Sequence, residues 1–170
     1  HLMTANIQYG SNDAIAFVDA YGEALNYFSI KASMEIAKEK KQKFHNFESS
    51  TYATGEYFDQ YTEKTMQDLN EKVLYALGNV PVITQAMWKA LKEEVMEHGL
   101  FHSYRLCVAP TGSISYIRNC TASIAPITER VEVRDYADSR TIYPMPFLTT
   151  ENKDNYLEAY EIDQYAMLRM

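Results

Sequence analysis

Apolar residues recur along this chain with two periods, and the change from one to the other organises it. Ser11-Asn12-Asp13 offers capping side chains, and from Ala14 to about Lys40 there is no proline and a single glycine, which predicts one long helix. Its apolar members, Ile15, Phe17, Val18, Tyr21, Leu25, Phe28, Ile30, Met34 and Ile36, cover much of its circumference. A helix apolar on most sides is packed on most sides, which needs more protein than a small domain supplies. The run from Lys38 to Lys43 closes the helix, where cations suit the negative end of its dipole. Phe44 to Thr51 reads as a loop, and a short helix is expected from Gly55 to Thr65, built on Tyr57, Phe58 and Tyr61. Pro81 and Thr84 precede a third helix, with Trp88, Leu91 and Val95 as its apolar stripe and Gly99 where a C-terminal cap belongs.

Beyond Gly99 the period shortens. Tyr104, Leu106 and Val108 alternate with Arg105 and Cys107, which predicts a strand from Tyr104 to Val108. Pro110 and Gly112 mark a tight turn, and Ser113 to Arg118 begins a short helix. Val131 to Arg134 and Thr141 to Tyr143 flank the polar stretch Asp135 to Ser139 and predict a hairpin, ended by Pro144 and Pro146. Thr149 or Thr150 then caps a final helix carrying Tyr156, Leu157, Tyr160, Tyr165 and Leu168. On this pattern residues 1–170 form a single partial domain: a mainly helical part over 1–100, a strand, loop and hairpin part over 101–148, and a helix over 149–170. The chain opens without methionine and ends inside a predicted helix, so a piece of a longer protein is expected.

Composition narrows the function. With 170 residues, 46% of them apolar, the chain is long enough for one core. A formal charge of −7 argues against broad adhesion to nucleic acid or anionic lipid, which need basic stripes, but leaves a small anion held by directed donors possible. The two cysteines, Cys107 and Cys120, have neither disulfide-framework nor metal-ligand spacing, so no metal site is expected and a cytoplasmic, reducing location fits. No signal-peptide pattern opens the chain and no apolar run has membrane-spanning length.

One segment carries candidate chemistry. Thr111-Gly112-Ser113-Ile114-Ser115 falls between the expected strand and a helix start, where free backbone N–H groups and the positive dipole end converge. Gly112 lets the backbone approach an oxyanion closely, and Thr111, Ser113 and Ser115 add hydroxyl donors. The result is a phosphate seat that needs no lysine, without the Walker spacing; a helix merely capped by serine and threonine is the plain alternative.

The run Ala109-Pro110-Thr111-Gly112-Ser113-Ile114-Ser115-Tyr116-Ile117, with Thr121-Ala122-Ser123-Ile124 and Pro126-Ile127 after it, resembles the phosphate-binding loop and its continuation in class Ib ribonucleotide reductase alpha subunits. Phe47 to Asp59, Trp88 with Leu91, His98-Gly99, Tyr143 to Phe147 and Asn155 to Ile162 resemble that family in order and rough spacing. Essentially the whole chain is covered. Ala125 stands where the family pattern has histidine, and Ala122 where it has serine.

The resemblance implies an α/β fold, this chain being a helix-rich fragment of a ten-stranded α/β barrel. It implies that a ribonucleoside diphosphate rests its diphosphate on the loop Ala109, Pro110, Thr111, Gly112, Ser113, Ile114 and Ser115, mainly on backbone amides, with the Thr111 and Ser113 hydroxyls assisting. It further implies nucleotide effectors, a homodimer of the full subunit, a small beta subunit whose dimetal centre generates the radical, and a glutaredoxin-like reductant. No cofactor is expected on this segment. The radical and redox cysteines, with their asparagine and glutamate, would precede His1, and the tyrosine pair and tail cysteines would follow Met170. No catalytic residue is therefore assigned, and the isolated chain is expected to be inactive. Cys107 reads as a strand residue, Cys120 as a small-residue substitute, His98 as a capping or packing group, and Arg118 as a solvated arginine within possible reach of a phosphate. The 14 tyrosines are too many for any one to be nominated as a radical carrier. A stand-alone phosphate-ligand or protein-interaction module, and an all-helical interaction domain, are the competing readings.

Overall fold

The computed structural model describes residues 2–64 and 68–170. They fall into two compact units: His1–Phe17, Asn70–Ala76 and Val108–Met170 form one, and Val18–Leu69 with Leu77–Cys107 the other.

The second unit is helical. Helix α1 (Asn12–Lys40) starts in the first unit, where the Ser11 hydroxyl accepts from the Ala14 amide, and contributes residues 18–40 to this one. Tyr27, Ile30 and Met34 line its buried side, whereas Val18, Tyr21, Leu25 and Phe28, spaced i, i+3, i+7 and i+10, stay exposed. The all-round burial expected from the sequence is therefore half realised: within this chain that second stripe keeps its exposure. The short elements α2 (Thr51–Thr54) and α3 (Asp59–Thr62) follow, separated by a 3-10 turn at Glu56–Phe58. The single helix expected from Gly55 to Thr65 is broken up in this way, and Thr65 lies outside the described residues. Gly55 explains the break, since at φ 81° it ends α2 in the left-handed region. The loop expected from Phe44 to Thr51 holds a 3-10 turn at Phe47–Ser49.

Helix α4 (Glu71–Leu77), which up to Ala76 belongs to the first unit, has no counterpart in the sequence reading, although Asn70, whose side chain accepts from the Val73 amide, marks its start. Helix α5 (Gln85–His98) is as its pattern predicts. The Thr84 hydroxyl accepts from the Met87 amide, and the Gly99 amide donates to the Val95 carbonyl at φ 78°. Trp88, Leu91 and Val95 point into a core shared with Ala24, Tyr27, Ile30, Met34, Phe47, Phe58, Ile83 and Leu100.

The predicted strand Tyr104–Val108 is not one: it has no ladder partner among the described residues. Its alternation is also reversed, with Tyr104 92%, Leu106 56% and Val108 69% exposed. Arg105 turns inward instead, donating from Nε to Ser29 Oγ (3.2 Å), from Nη1 to the Tyr52 hydroxyl (3.1 Å) and from Nη2 to Asn26 Oδ1 (3.2 Å).

The first unit holds α6 (Gly112–Arg118) and one antiparallel hairpin of β1 (Val131–Tyr136) and β2 (Ser139–Pro144). Register pairs Glu132 with Tyr143 and Arg134 with Thr141, so period 2 places these four on one face. Val131, Val133, Ile142 and Pro144 share the other, which is exposed. The Arg130 guanidinium ties the base of the hairpin to Glu158 (3.4 Å) and Glu161 (2.5 Å). The predicted continuous C-terminal helix is replaced by 3-10 turns at Lys153–Asn155 and Ala159–Glu161 and a helix α7 (Gln164–Arg169). Polar side chains compete with the helix for its backbone. Thr149 and Asn152 exchange side chain to backbone bonds, Glu158 and Glu161 form a reciprocal capping box, and Asp163 accepts from the Ala166 amide to start α7 afresh.

Among the described residues no helix is long and apolar enough to cross a membrane, and no group of three His, Cys, Asp or Glu side chains is placed to hold a metal.

Candidate functional site

Helix α6 is the element the sequence singled out, and its entry is unusual. Thr111 precedes it at φ 40°, ψ 31°, a left-handed conformation that a β-branched residue adopts only at a cost. Its side chain does not cap the helix; the hydroxyl oxygen instead accepts from the Ser123 amide at 2.9 Å. The first amides of a helix have no carbonyl four residues back within it, so those of Gly112, Ser113 and Ile114 head the helix without a Thr111 cap. Ala109, Pro110, Thr111, Gly112, Ser113 and Ile114 are all exposed. Gly112 has an ordinary φ, and a Cβ added to it would meet no atom within 4 Å. Nothing in the fold of this chain therefore requires glycine at that position.

The hydroxyls are arranged differently from the sequence expectation. Ser115 is buried and its Oγ donates to the Gly112 carbonyl of its own helix at 2.6 Å, so it faces inward. Ser113 remains at the exposed entry. Arg118 sits at the far end of α6, about 9 Å of helix rise from Gly112, and so not over the entry. His98 closes α5 between Glu94 and Glu97, each 3.7 Å away, and both cysteines are exposed and free.

Behind the entry a cleft of about 380 Å³ is lined by α6, the 119–128 segment and the inner face of the hairpin. Here the structure joins residues that sequence reasoning passed over. The Tyr116 hydroxyl donates to Glu132 Oε2 at 2.6 Å, and Arg134 approaches Glu132 Oε1 through Nε (2.9 Å) and Nη2 (2.8 Å). The Arg134 guanidinium lies 4.4 Å from the Tyr116 ring centre, and the Tyr143 ring centre lies 5.0 Å from that of Tyr116. The hydrogen bond from Tyr116, then those from Arg134, hold the Glu132 carboxyl below its ordinary range, although its partial burial works the other way. A depressed carboxyl stabilises the fold fully above its ordinary pKa, and that contribution is lost as pH falls through the depressed value. The strand alternation that puts Glu132 and Arg134 on one face was the available signal.

The entry to α6 thus combines a left-handed threonine with a glycine that packing does not demand. Residues 1–170 match throughout the family described as ribonucleotide reductase, barrel domain, and the chain belongs to that family. It is 46% identical over 170 residues to the ribonucleoside-diphosphate reductase subunit alpha of Bacillus subtilis, covering 100% of this chain and 24% of that protein. It is 43% identical over 163 residues to the NrdEB subunit alpha of the same organism (96% of this chain, 15% of that protein). With the Mycoplasma pneumoniae subunit alpha it shares 38% over 160 residues (91% and 22%). The chain thus spans about a quarter or less of the length of these curated relatives. The resemblance to reductase alpha subunits read from the ordered motifs is borne out.

Proposed function

We propose that this chain is the part of a class Ib ribonucleoside-diphosphate reductase alpha subunit that seats the diphosphate of the substrate. The subunit would reduce ribonucleoside diphosphates to deoxyribonucleoside diphosphates by radical chemistry, for DNA synthesis. The observation that carries the reading is the entry to α6: uncapped first-turn amides behind a left-handed Thr111, with an exposed glycine that the fold does not need. Diphosphate oxygens would accept from the amides of Thr111 to Ile114, with the Ser113 hydroxyl assisting and Ala109-Pro110 shaping the approach. Ser115 would stiffen the first turn through its bond to the Gly112 carbonyl.

These groups make and break no covalent bond. Their contribution is to hold one end of the substrate in the site, binding that is shared by substrate and transition state and is therefore read in KM. The net charge of −7 on this chain means that attraction comes from local dipoles, not from its overall field. The rest of the machinery would be supplied by the full subunit and its partners: a ten-stranded barrel, nucleotide effectors, a second copy of the subunit, a dimetal beta subunit and a glutaredoxin-like reductant, in the cytoplasm. The exposed apolar side chains of Tyr104, Leu106 and Val108 suit a barrel strand whose neighbours come from elsewhere in such a subunit.

Gly112→Val in the full subunit tests the seat. Valine fits the φ and the free space at 112, so folding stability should stay within about 0.5 kcal/mol of the parent. The side chain would occupy the place of a phosphate oxygen, and the KM for cytidine diphosphate should rise about a hundredfold. An unchanged KM would refute the diphosphate seat.

A further inference from the structure

Seven residues make two turns of helix, and α6 is flanked at both ends by left-handed residues, Thr111 and Asn119 (φ 48°). The Thr111 hydroxyl accepts from the Ser123 amide at one end, and the side chains that α6 turns inward add to what fixes its rotation about its own axis. Ser115 and Tyr116 are the two residues of α6 that are not exposed. The Ser115 hydroxyl bonds within the helix, whereas Tyr116 reaches across to β1. Its hydroxyl donates to Glu132 at 2.6 Å, and Arg134, two positions on along the same face, holds that carboxylate from the other side while covering the Tyr116 ring.

We propose that Tyr116 and Glu132 are positioning residues for the diphosphate seat, Glu132 gripping the Tyr116 hydroxyl and so setting the rotation of α6 and the aim of its first amides. The inference rests on the diphosphate reading of that entry. Cα atoms lie about 2.3 Å from a helix axis, so a 20° rotation of α6, as an order-of-magnitude case, moves the backbone by about 0.8 Å. Errors approaching 1 Å are enough to spoil a hydrogen-bonded site. The carboxylate is a strong acceptor, and the depressed titration of Glu132 keeps it charged through the neutral range. Arg134 fixes which way the carboxylate faces, so the tyrosine is held by an oriented group rather than a mobile one.

The test uses the full subunit assembled with its radical-generating partner, and cytidine diphosphate as the probe. Tyr116→Phe removes one oxygen, and Glu132→Ala removes the grip; each should raise KM about tenfold and leave kcat at saturation within about twofold, the pattern of lost uniform binding. Because both act through one bond, the double variant should be no worse than the worse single variant. Glu132→Gln retains an oxygen that accepts from Tyr116, and its KM should stay within about threefold of the parent. Gly112→Val is run alongside. If it raises KM while Tyr116→Phe and Glu132→Ala do not, the positioning role is wrong and the seat stands. If Gly112→Val changes nothing, the seat itself fails, and the inference with it. A fall in kcat at constant KM, or multiplying effects in the double variant, also overturns the proposal. Should Glu132→Ala not fold, Tyr116→Phe decides alone.

Discussion

Replacing Trp88 with alanine should lower the stability of the helical unit by about 3–5 kcal/mol, the usual cost of removing a buried tryptophan. Trp88 is fully buried at the centre of an aromatic group. Tyr61 stacks on it at 4.0 Å with an interplanar angle of 13°, Tyr27 meets it edge-on at 5.2 Å and Phe58 lies at 6.2 Å. Its indole N–H donates to Glu23 Oε1 at 2.7 Å, a bond to a carboxylate whose second oxygen faces Lys64 at 3.3 Å. Alanine leaves a cavity among three rings and removes one donor from a largely buried acid. Hydrogen exchange of the α5 amides in the full subunit should quicken about a hundredfold or more. Trp88→Phe restores most of the ring contact but not the donor and should lie between. Exchange within threefold of the parent in Trp88→Ala would mean that this core is organised around something else.

Arg105→Ala should cost about 2–3 kcal/mol in the same unit, through its polar side. All three guanidinium nitrogens are engaged, by Ser29, Tyr52 and Asn26, and the group also lies 5.2 Å from the Tyr52 ring centre. Asn26 in turn donates to the hydroxyls of Tyr57 (2.8 Å) and Tyr61 (2.9 Å), so the arginine orients an amide on which two tyrosines depend. Burial dominates the raised titration of Tyr52 and Tyr61, which stay neutral and act as hydrogen-bonding phenols. The readout is local: Phe101 donates its amide to the Ser33 carbonyl and His102 donates its own to the Ser33 hydroxyl, and protection at both should fall. Arg105→Lys should recover little, because an ammonium cannot present three donors in a planar fork. Full protection in Arg105→Ala would show that the backbone bonds alone hold this segment.

Arg105 also shows where sequence reasoning stopped. Period 2 identified an extended stretch at Tyr104–Val108, but not which side of it faces protein. The apolar side would ordinarily face inward, yet within this chain the acceptors for the arginine lie inward and the apolar side stays open. Elements that carry their own stop and start signals were legible: α1 from Ser11, α5 from Thr84 to Gly99, and the hairpin from its alternation about Asp135 to Ser139. The C-terminal helix was not, because Asn152, Glu158 and Asp163 each draw the backbone into a local turn that a count of apolar positions does not register. At the candidate site the sequence located the entry of α6. It missed the Tyr116, Glu132 and Arg134 cluster, since the pairing of a helix with a strand sixteen residues away depends on the tertiary fold.

The central claim is that α6 receives a diphosphate at its entry, and a crystal structure of the full subunit with cytidine diphosphate bound tests it most directly. The account predicts phosphate oxygens within about 3 Å of at least two backbone nitrogens among Thr111 to Ile114, with Thr111 still left-handed and Tyr116 still on Glu132. A diphosphate bound to side chains elsewhere, with the entry of α6 empty, would contradict it.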